Sequence, residues 1–378
     1  MMRTLVVTND FPPRPGGIQA FVHNLAVRQP AGEVVVYASD WKGSATFDAA
    51  QPFPVVRHPS SLLLPTPAAL RRVRQVAAAE SCDRVWFGAA APLALLARRL
   101  GLGRSVASTH GHEVGWALLP GGRQALRRIG ATVDVVTYLG DYTRARLAPA
   151  LGPAARLERL PSGVDTQLFR PGGGEEVRSR LGLADRPVIV CVSRLVPRKG
   201  QDVLIRALPA IRRRVPDTAL LCVGGGPDAP RLTRLAAEFG VADDVVLTGS
   251  VPWAELPAHY AAGDVFAMPC RTRRAGLEVE GLGIVYLEAS ATGLPVVAGR
   301  SGGSPDAVQQ GITGHVVDGT SVAEVAEAVG GLLADPARAR QMGQAGRAWV
   351  DAQWRWQVLA DRLRGLLAGH DGRSGGSA

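Results

Sequence analysis

The chain has 378 residues, more than one ordinary hydrophobic core holds at ~100–200 residues per domain, so two domains are expected. Hydrophobic residues make up 46% and charged residues 20%, a globular composition, and the longest apolar run, Ala89 to Ala97, is far short of the ~20 residues of a membrane-spanning helix. The formal net charge is +10, of which residues 1–170 carry +9 and residues 171–378 only +1. The opening "MMRTLVVTND" shows no apolar stretch with a cleavage site, so no secretion signal is expected. Cys82, Cys191, Cys222 and Cys270 are scattered and form no metal-type pair, which fits a reduced, cytoplasmic setting.

Taken in chain order, short β-branched runs alternate with amphipathic stretches. Strands are predicted at Thr4–Thr8, Val34–Ala38, Arg84–Phe87, Ser105–Ser108 and Val133–Tyr138, and helices at Gln19–Arg28, Ala68–Ala79, Leu93–Leu100 and Asp141–Ala148. "LPSGVDTQLFRPGGGEE" reads as a linker. Strands follow at Val188–Ser193, Ala219–Val223, Val245–Thr248, Val265–Met268 and Pro295–Ala298, with helices at Gln201–Arg213, Arg231–Phe239, Trp253–Ala261 and Leu282–Thr292. The same βα alternation occurs twice, which predicts an α/β protein of two doubly wound, Rossmann-like domains, residues 1–170 and 171–353. A last helix, 354–368, and a disordered tail, 369–378, complete the chain. Ligands of such sheets bind beyond the carboxyl ends of the strands, so a cleft between two facing domains is the expected site.

Four strand-end segments carry candidate chemistry. In "EGLGIVYLE", Glu280 precedes a helix start and Glu288 lies inside the helix. Gly281 and Gly283 allow close backbone approach, and the free N–H groups and positive dipole end of the helix start suit a diphosphate. Glu280 is placed to accept hydrogen bonds from sugar hydroxyls and Glu288 from a ribose diol; the plainer alternative is a helix-end charge and a surface residue. In "VCVSRLVPRKG", Arg194 and Lys199 follow a strand directly, as two cations beside a diphosphate would, or as a surface pair. In "NDFPPRPGGIQAF", Gly16 and Gly17 open a helix, and Asp10 and Gln19 are candidates for an acceptor's hydroxyls; a rigid turn capped by Asp10 is the alternative. In "STHGHEVGW", His110 is a candidate near the reacting centre, while His112 reads as structural; the H-x-H-E wording invites zinc, but no partner set stands at metal spacing. "CVGGGPDAP" lacks the full G-x-G-x-x-G, and neither a GxxxxGK[ST] loop nor a DxD pair appears, so no metal is expected.

In this order, the G-G-[IV] loop, the strand-end histidine, S-R-L-x-x-x-K-G and E-x7-E resemble the GT-B glycosyltransferases of family 4, over about Thr4 to Leu367. "RAGLEVEGLGIVYLEASATGLPVVAGRSGGSPDAV" is most similar to the GDP-mannose-dependent phosphatidylinositol mannoside α-mannosyltransferases. The resemblance implies a retaining transfer of mannose from GDP-mannose, with the donor on the second domain, the acceptor on the first, and the last helix crossing back. It implies that Arg194 and Lys199 hold the diphosphate, Glu280 the hexose and Glu288 the ribose. It assigns Gly281 to Ile284 to backbone contacts, Ser250 and Val251 to the base, and Gly16, Gly17 and His110 to the sugar and acceptor side. The expected partner is a phosphoinositide-type lipid at the inner face of the plasma membrane, held peripherally. The basic first half, with Arg71, Arg72, Arg74, Arg123, Arg127 and Arg128, suits an anionic surface at ~1 kcal/mol per cation. A family-4 enzyme using another nucleotide-sugar or a soluble inositol phosphate or glucan is the nearer alternative. A non-catalytic nucleic-acid-binding protein is the remote one; aromatics are only 5% of the chain, and no stretch interleaves them with arginine.

Overall fold

The computed structural model describes residues 2–276 and 278–370. It divides into two compact units, one formed by the chain up to Gly163 together with the segment from Trp356 onward, the other by Val164–Arg355.

In the first unit, β1 (Thr4–Thr8), β2 (Val34–Ser39), β3 (Val55–His58), β4 (Arg84–Phe87), β5 (Arg104–Ser108), β6 (Val135–Tyr138) and β7 (Leu157–Arg159) form one sheet in the order β3-β2-β1-β4-β5-β6-β7. Every pairing is parallel, with Thr4 opposite Val34 on one side and Arg84 on the other. The inner strands are valine-rich and buried end to end because helices cover both faces. On one face lie the helices Pro67–Ala79, Pro120–Thr132 and Asp141–Leu151, contributing Val73, Ile129 and Leu147 to the core. On the other, the helices Gly17–Ala26 and Trp356–Ala368 bring Phe21, Leu25, Leu359 and Leu363 against Trp86.

In the second unit, β8 (Val188–Val192), β9 (Ala219–Val223), β10 (Val245–Leu247), β11 (Val265–Met268), β12 (Val296–Gly299) and β13 (Gly314–Val317) are again all parallel, in the order β10-β9-β8-β11-β12-β13. The helix Gln201–Arg214 packs Val203, Leu204, Leu208 and Ile211 onto this sheet. In both sheets the strand order reverses beside the first strand, between β1 and β4 and between β8 and β11, the place where open α/β sheets bind ligands.

The chain enters the second unit at Val164 rather than at residue 171, because Val164 and Phe169 are drawn into the second core. It leaves between Trp354, buried in the second core, and Trp356, packed on the first, so the returning helix begins at Trp356 rather than at 354. Gly369 and His370 belong to that helix's end instead of to a tail: Gly369 adopts φ +84°, and the His370 N–H donates to the Gly365 carbonyl at 3.0 Å, a capping arrangement. Residues 371–378 lie outside the described residues. Among the described residues no helix is long and apolar enough to cross a membrane.

Candidate active site

In the second unit, two loops meet at the carboxyl ends of β8 and β11. The loop after β8 ends in a single turn, Pro197–Lys199, which turns Lys199 inward until only 8% of it is exposed. Lys199 Nζ lies 2.6 Å from Glu280 Oε2, and Arg198 Nη1 lies 2.9 Å from the same oxygen. Glu280 is itself 9% exposed. Two cations thus share one carboxylate oxygen in a largely desolvated place, leaving a net positive charge that an anionic ligand would satisfy.

The helix Ile284–Ala291 starts beside this cluster, with Gly283 as its N-cap at φ +80° and no side-chain cap on its free N–H groups. A side chain at Gly283 would be strained by that φ and would meet the Tyr286 ring at 2.4 Å. The approach to the helix is fixed from beneath. The Gly303 N–H donates to the Glu280 carbonyl at 2.9 Å, and a Cβ at Gly303 would stand 2.2 Å from the Gly281 carbonyl oxygen. The helix start therefore presents uncapped N–H groups on a braced loop next to the cation pair.

The remaining residues of this unit fall into two places. Arg194 is exposed and lines a shallow pocket of about 440 Å³ with Ser193, Gly224, Gly225, Ser250 and Val251. The second cation on Glu280 is therefore Arg198, not Arg194; Arg194 instead shares a pocket with Ser250 and Val251. The glycines of "CVGGGPDAP" serve packing: Cβ atoms at Gly224 and Gly226 would stand 2.3 and 2.2 Å from the carbonyls of Ser193 and Leu195. Glu288 is not a surface residue. It is 6% exposed, and its Oε2 accepts from the Tyr260 hydroxyl at 2.6 Å. Burial pushes its carboxyl up to about 7, with the Tyr260 hydrogen bond pulling the other way.

In the first unit the candidate residues satisfy one another. Asp10 Oδ1 accepts from Gln19 Nε2 at 2.8 Å, and the Asp10 N–H donates to Thr8 Oγ1 at 2.8 Å. Asp10 does not cap the helix Gly17–Ala26, which has Gly16 as its N-cap and no side-chain cap. A Cβ at Gly16 would meet Gln19 Oε1 at 2.1 Å, whereas one at Gly17 would meet nothing within 4 Å. His110 follows β5; its Nε2 lies 2.6 Å from the Gly88 carbonyl and its ring stands edge-on to Phe21 at 4.9 Å between centroids. A carbonyl only accepts, so Nε2 carries the proton and Nδ1 keeps its lone pair. Burial holds the His110 pKa below the usual histidine value, against the opposing pull of Glu113. Glu113 Oε2 takes the His110 backbone N–H at 2.9 Å, and its Oε1 lies 3.5 Å from His112 Nε2. Among the described residues no group of three or more His, Cys, Asp or Glu side chains is placed to hold a metal ion.

Sequence reasoning missed Arg198, Tyr260 and the loop at Gly303. Arg198 was legible in "PRKG" as a second basic residue beside Lys199; the other two hold their partners from 28 and 23 positions away along the chain, Tyr260 against Glu288 and Gly303 against Glu280.

Two parallel-sheet units, each with an uncapped helix start at the end of its first or fourth strand, have the architecture expected of the GT-B fold. The chain matches the family described as Glycosyltransferase Family 4 over residues 15–168 and that described as Glycosyl transferases group 1 over residues 174–349. It is 59% identical to the GDP-mannose-dependent alpha-(1-6)-phosphatidylinositol monomannoside mannosyltransferase of Mycolicibacterium smegmatis, across 97% of this chain and 98% of that one. It is 57% identical to the protein of the same name from Mycobacterium tuberculosis, across 98% and 99%. A solved glycosyltransferase from Rickettsia africae shares the fold, with a TM-score of 0.80 at 16% identity over 99% of this chain and 100% of that one. The chain belongs to the family-4 glycosyltransferases of the GT-B fold, within the group that contains the two phosphatidylinositol monomannoside mannosyltransferases.

Proposed function

We propose that this chain transfers mannose from GDP-mannose to a phosphatidylinositol monomannoside with retention of configuration. The reading is carried by the 59% identity to an enzyme so named over almost the whole length of both chains. It is supported by the two cations, Arg198 and Lys199, gathered beside an uncapped helix start.

In this reading the second unit holds the donor. Lys199 and Arg198, with Arg194 from the neighbouring pocket and the N–H groups of Gly281, Leu282, Gly283 and Ile284, take the diphosphate. The cations then do the work for which a metal is used elsewhere, and no metal or other cofactor is called for. Glu280 gives up its hold on the cations to the incoming phosphates and turns to the mannose hydroxyls. Glu288, fixed by Tyr260, offers its other oxygen to the ribose, and Ser250 and Val251 flank the base.

The first unit holds the acceptor, with Gly16, Gly17, Asp10, Gln19 and the lone pair of His110 Nδ1 as its polar groups. The bond between the anomeric carbon and the β-phosphate oxygen breaks, and its electron pair stays on GDP. The acceptor hydroxyl oxygen bonds to the anomeric carbon from the same face, and its proton passes to the departing phosphate oxygen. Attachment to the inner face of the membrane is peripheral, and nucleic acid is no partner.

Labelled GDP-mannose incubated with phosphatidylinositol and, separately, with its monomannoside tests the reading. A labelled dimannoside from the second mixture is expected. Product from a soluble inositol phosphate or glucan alone, or thermal stabilisation by UDP-glucose and not by GDP-mannose, would overturn it.

A further inference from the structure

The turn that carries Arg198 and Lys199 runs through Gly200 straight into the helix Gln201–Arg214, and Asp202 lies in the first turn of that helix. Asp202 is only 6% exposed, a burial that carboxylates reach when they are paired. Its Oδ2 accepts from Arg271 Nη2 at 2.9 Å and from Arg206 Nη1 at 3.1 Å, and Arg231 Nη2 stands 3.6 Å away. Arg231 also grips Asp228 through two bonds of 2.7 Å. Three guanidiniums thus gather on two carboxylates. Burial pushes the Asp202 carboxyl up, but the hydrogen bond and charge of Arg271 and the charge of Arg231 outweigh it, and the group is held below its ordinary value.

Of these three arginines, Arg271 is the one on the second loop of the diphosphate site. It follows β11, and its backbone N–H donates to the Arg198 carbonyl at 2.9 Å. One residue therefore holds the turn twice, by its main chain at Arg198 and by its side chain at Asp202. Arg206 lies one turn further along Asp202's own helix, and Arg231 on the helix Ala229–Glu238 that follows β9. The two loops also close up at this place: Gly200 has φ +84°, and a Cβ there would stand 2.0 Å from the Pro269 carbonyl oxygen. From the end of β8, Ser193 Oγ accepts from Gln201 Nε2 at 2.7 Å. Lys199 is a point charge on a flexible stem, so where its ammonium stands depends on how firmly this turn is held.

We propose that Asp202 and Arg271 are positioning residues of the diphosphate site: their ion pair clasps the 198–200 turn to the loop after β11 and so aims Arg198 and Lys199. The proposal rests on the donor reading above. A purely electrostatic part for Asp202 would have the opposite sign. Its negative charge near the site repels a diphosphate, so deleting that charge, with nothing else disturbed, would tighten GDP.

Calorimetric titration of full-length variants with GDP and with guanosine separates the two. D202A and R271Q should each weaken GDP about tenfold, the worth of one charge-assisted contact, with guanosine unaffected. Combined in one chain they should weaken it no further than either alone, because each opens the same clasp. In an R198A/K199A background, D202A should change GDP affinity by less than about twofold, since the cations it aims are gone. Circular dichroism checks that each variant folds, and R271Q, which keeps the backbone bond to Arg198, carries the comparison if D202A does not. GDP held by D202A or R271Q as tightly as by the unmodified chain, or more tightly, would overturn the proposal. So would an equal loss for guanosine, or a tenfold loss that persists without Arg198 and Lys199. Each of those results leaves the donor reading standing, whereas a failure of the unmodified chain to bind GDP would overturn both.

Discussion

The two units share a strand order but prepare their loops in opposite ways. In the second, Arg198 and Lys199 converge on Glu280, so charge is concentrated and largely desolvated beside a helix start. In the first, Asp10 and Gln19 are hydrogen-bonded to each other, and His110 is tied to a backbone carbonyl with burial holding its pKa below the usual value. A site for a nucleoside diphosphate needs fixed positive charge, whereas a site for hydroxyl groups needs donors and acceptors at fixed angles. In the proposed reading the contrast suits the second unit to the diphosphate and the first to the acceptor's hydroxyls.

The largest effects should come from breaking the charged half. Lys199→Ala and Glu280→Ala should each lower kcat by about 10²–10³, the size of losing one preorganised electrostatic contact. Circular dichroism should show both folded. Near-normal turnover in either would remove that residue from the chemistry.

Next comes Glu288. Its folded pKa is raised to about 7, so the folded chain binds a proton more tightly than the unfolded one. Stability is therefore lost as pH rises from about 4.5 through 7, and the penalty is complete above that, on the order of 3 kcal/mol by 1.36 kcal/mol per unit. Glu288→Gln keeps an acceptor for Tyr260 and should raise the Tm above pH 7 while changing little near pH 4. A pH-independent difference between the two proteins would refute the assignment.

The smallest effect is expected from the neutral half. The His110 pKa is lowered, so its contribution is full above the ordinary histidine value of 6.5 and declines as pH falls below it. His315 in the second unit has the same sign. His110→Gln should flatten, without abolishing, the acid-side fall of Tm. A steeper fall in the variant would mean that the ring is charged in the folded chain.

Much of this was legible in the sequence because core strands of parallel sheets are near-continuous apolar runs: β1, β4, β9 and β11 fall where those runs stand. The edge strands β3, β7 and the segment Gly314–Val317 were not, since short and half-buried runs such as "LER" carry no such signal. The helix Pro120–Thr132 was hidden by Gly121 and Gly122, which are poor helix formers; its N-terminal Pro120 is tolerated there. In the site, Lys199, Glu280 and the start at Ile284 could be read from adjacent residues. What could not be read was pairing across the chain: that Glu280 would take Arg198 rather than leave Arg194 as Lys199's companion, and that Tyr260 would claim one oxygen of Glu288.

The central claim is that the Arg198–Lys199 pair and the helix start at Gly283 grip a diphosphate. Calorimetric titration of the double variant Arg198→Ala, Lys199→Ala with GDP and with guanosine tests it directly. GDP should bind at least about a hundredfold more weakly than to the unmodified chain, from two lost charge-assisted contacts at ~1.5–3 kcal/mol each, with guanosine unaffected. Equal GDP affinity in the two proteins would contradict it.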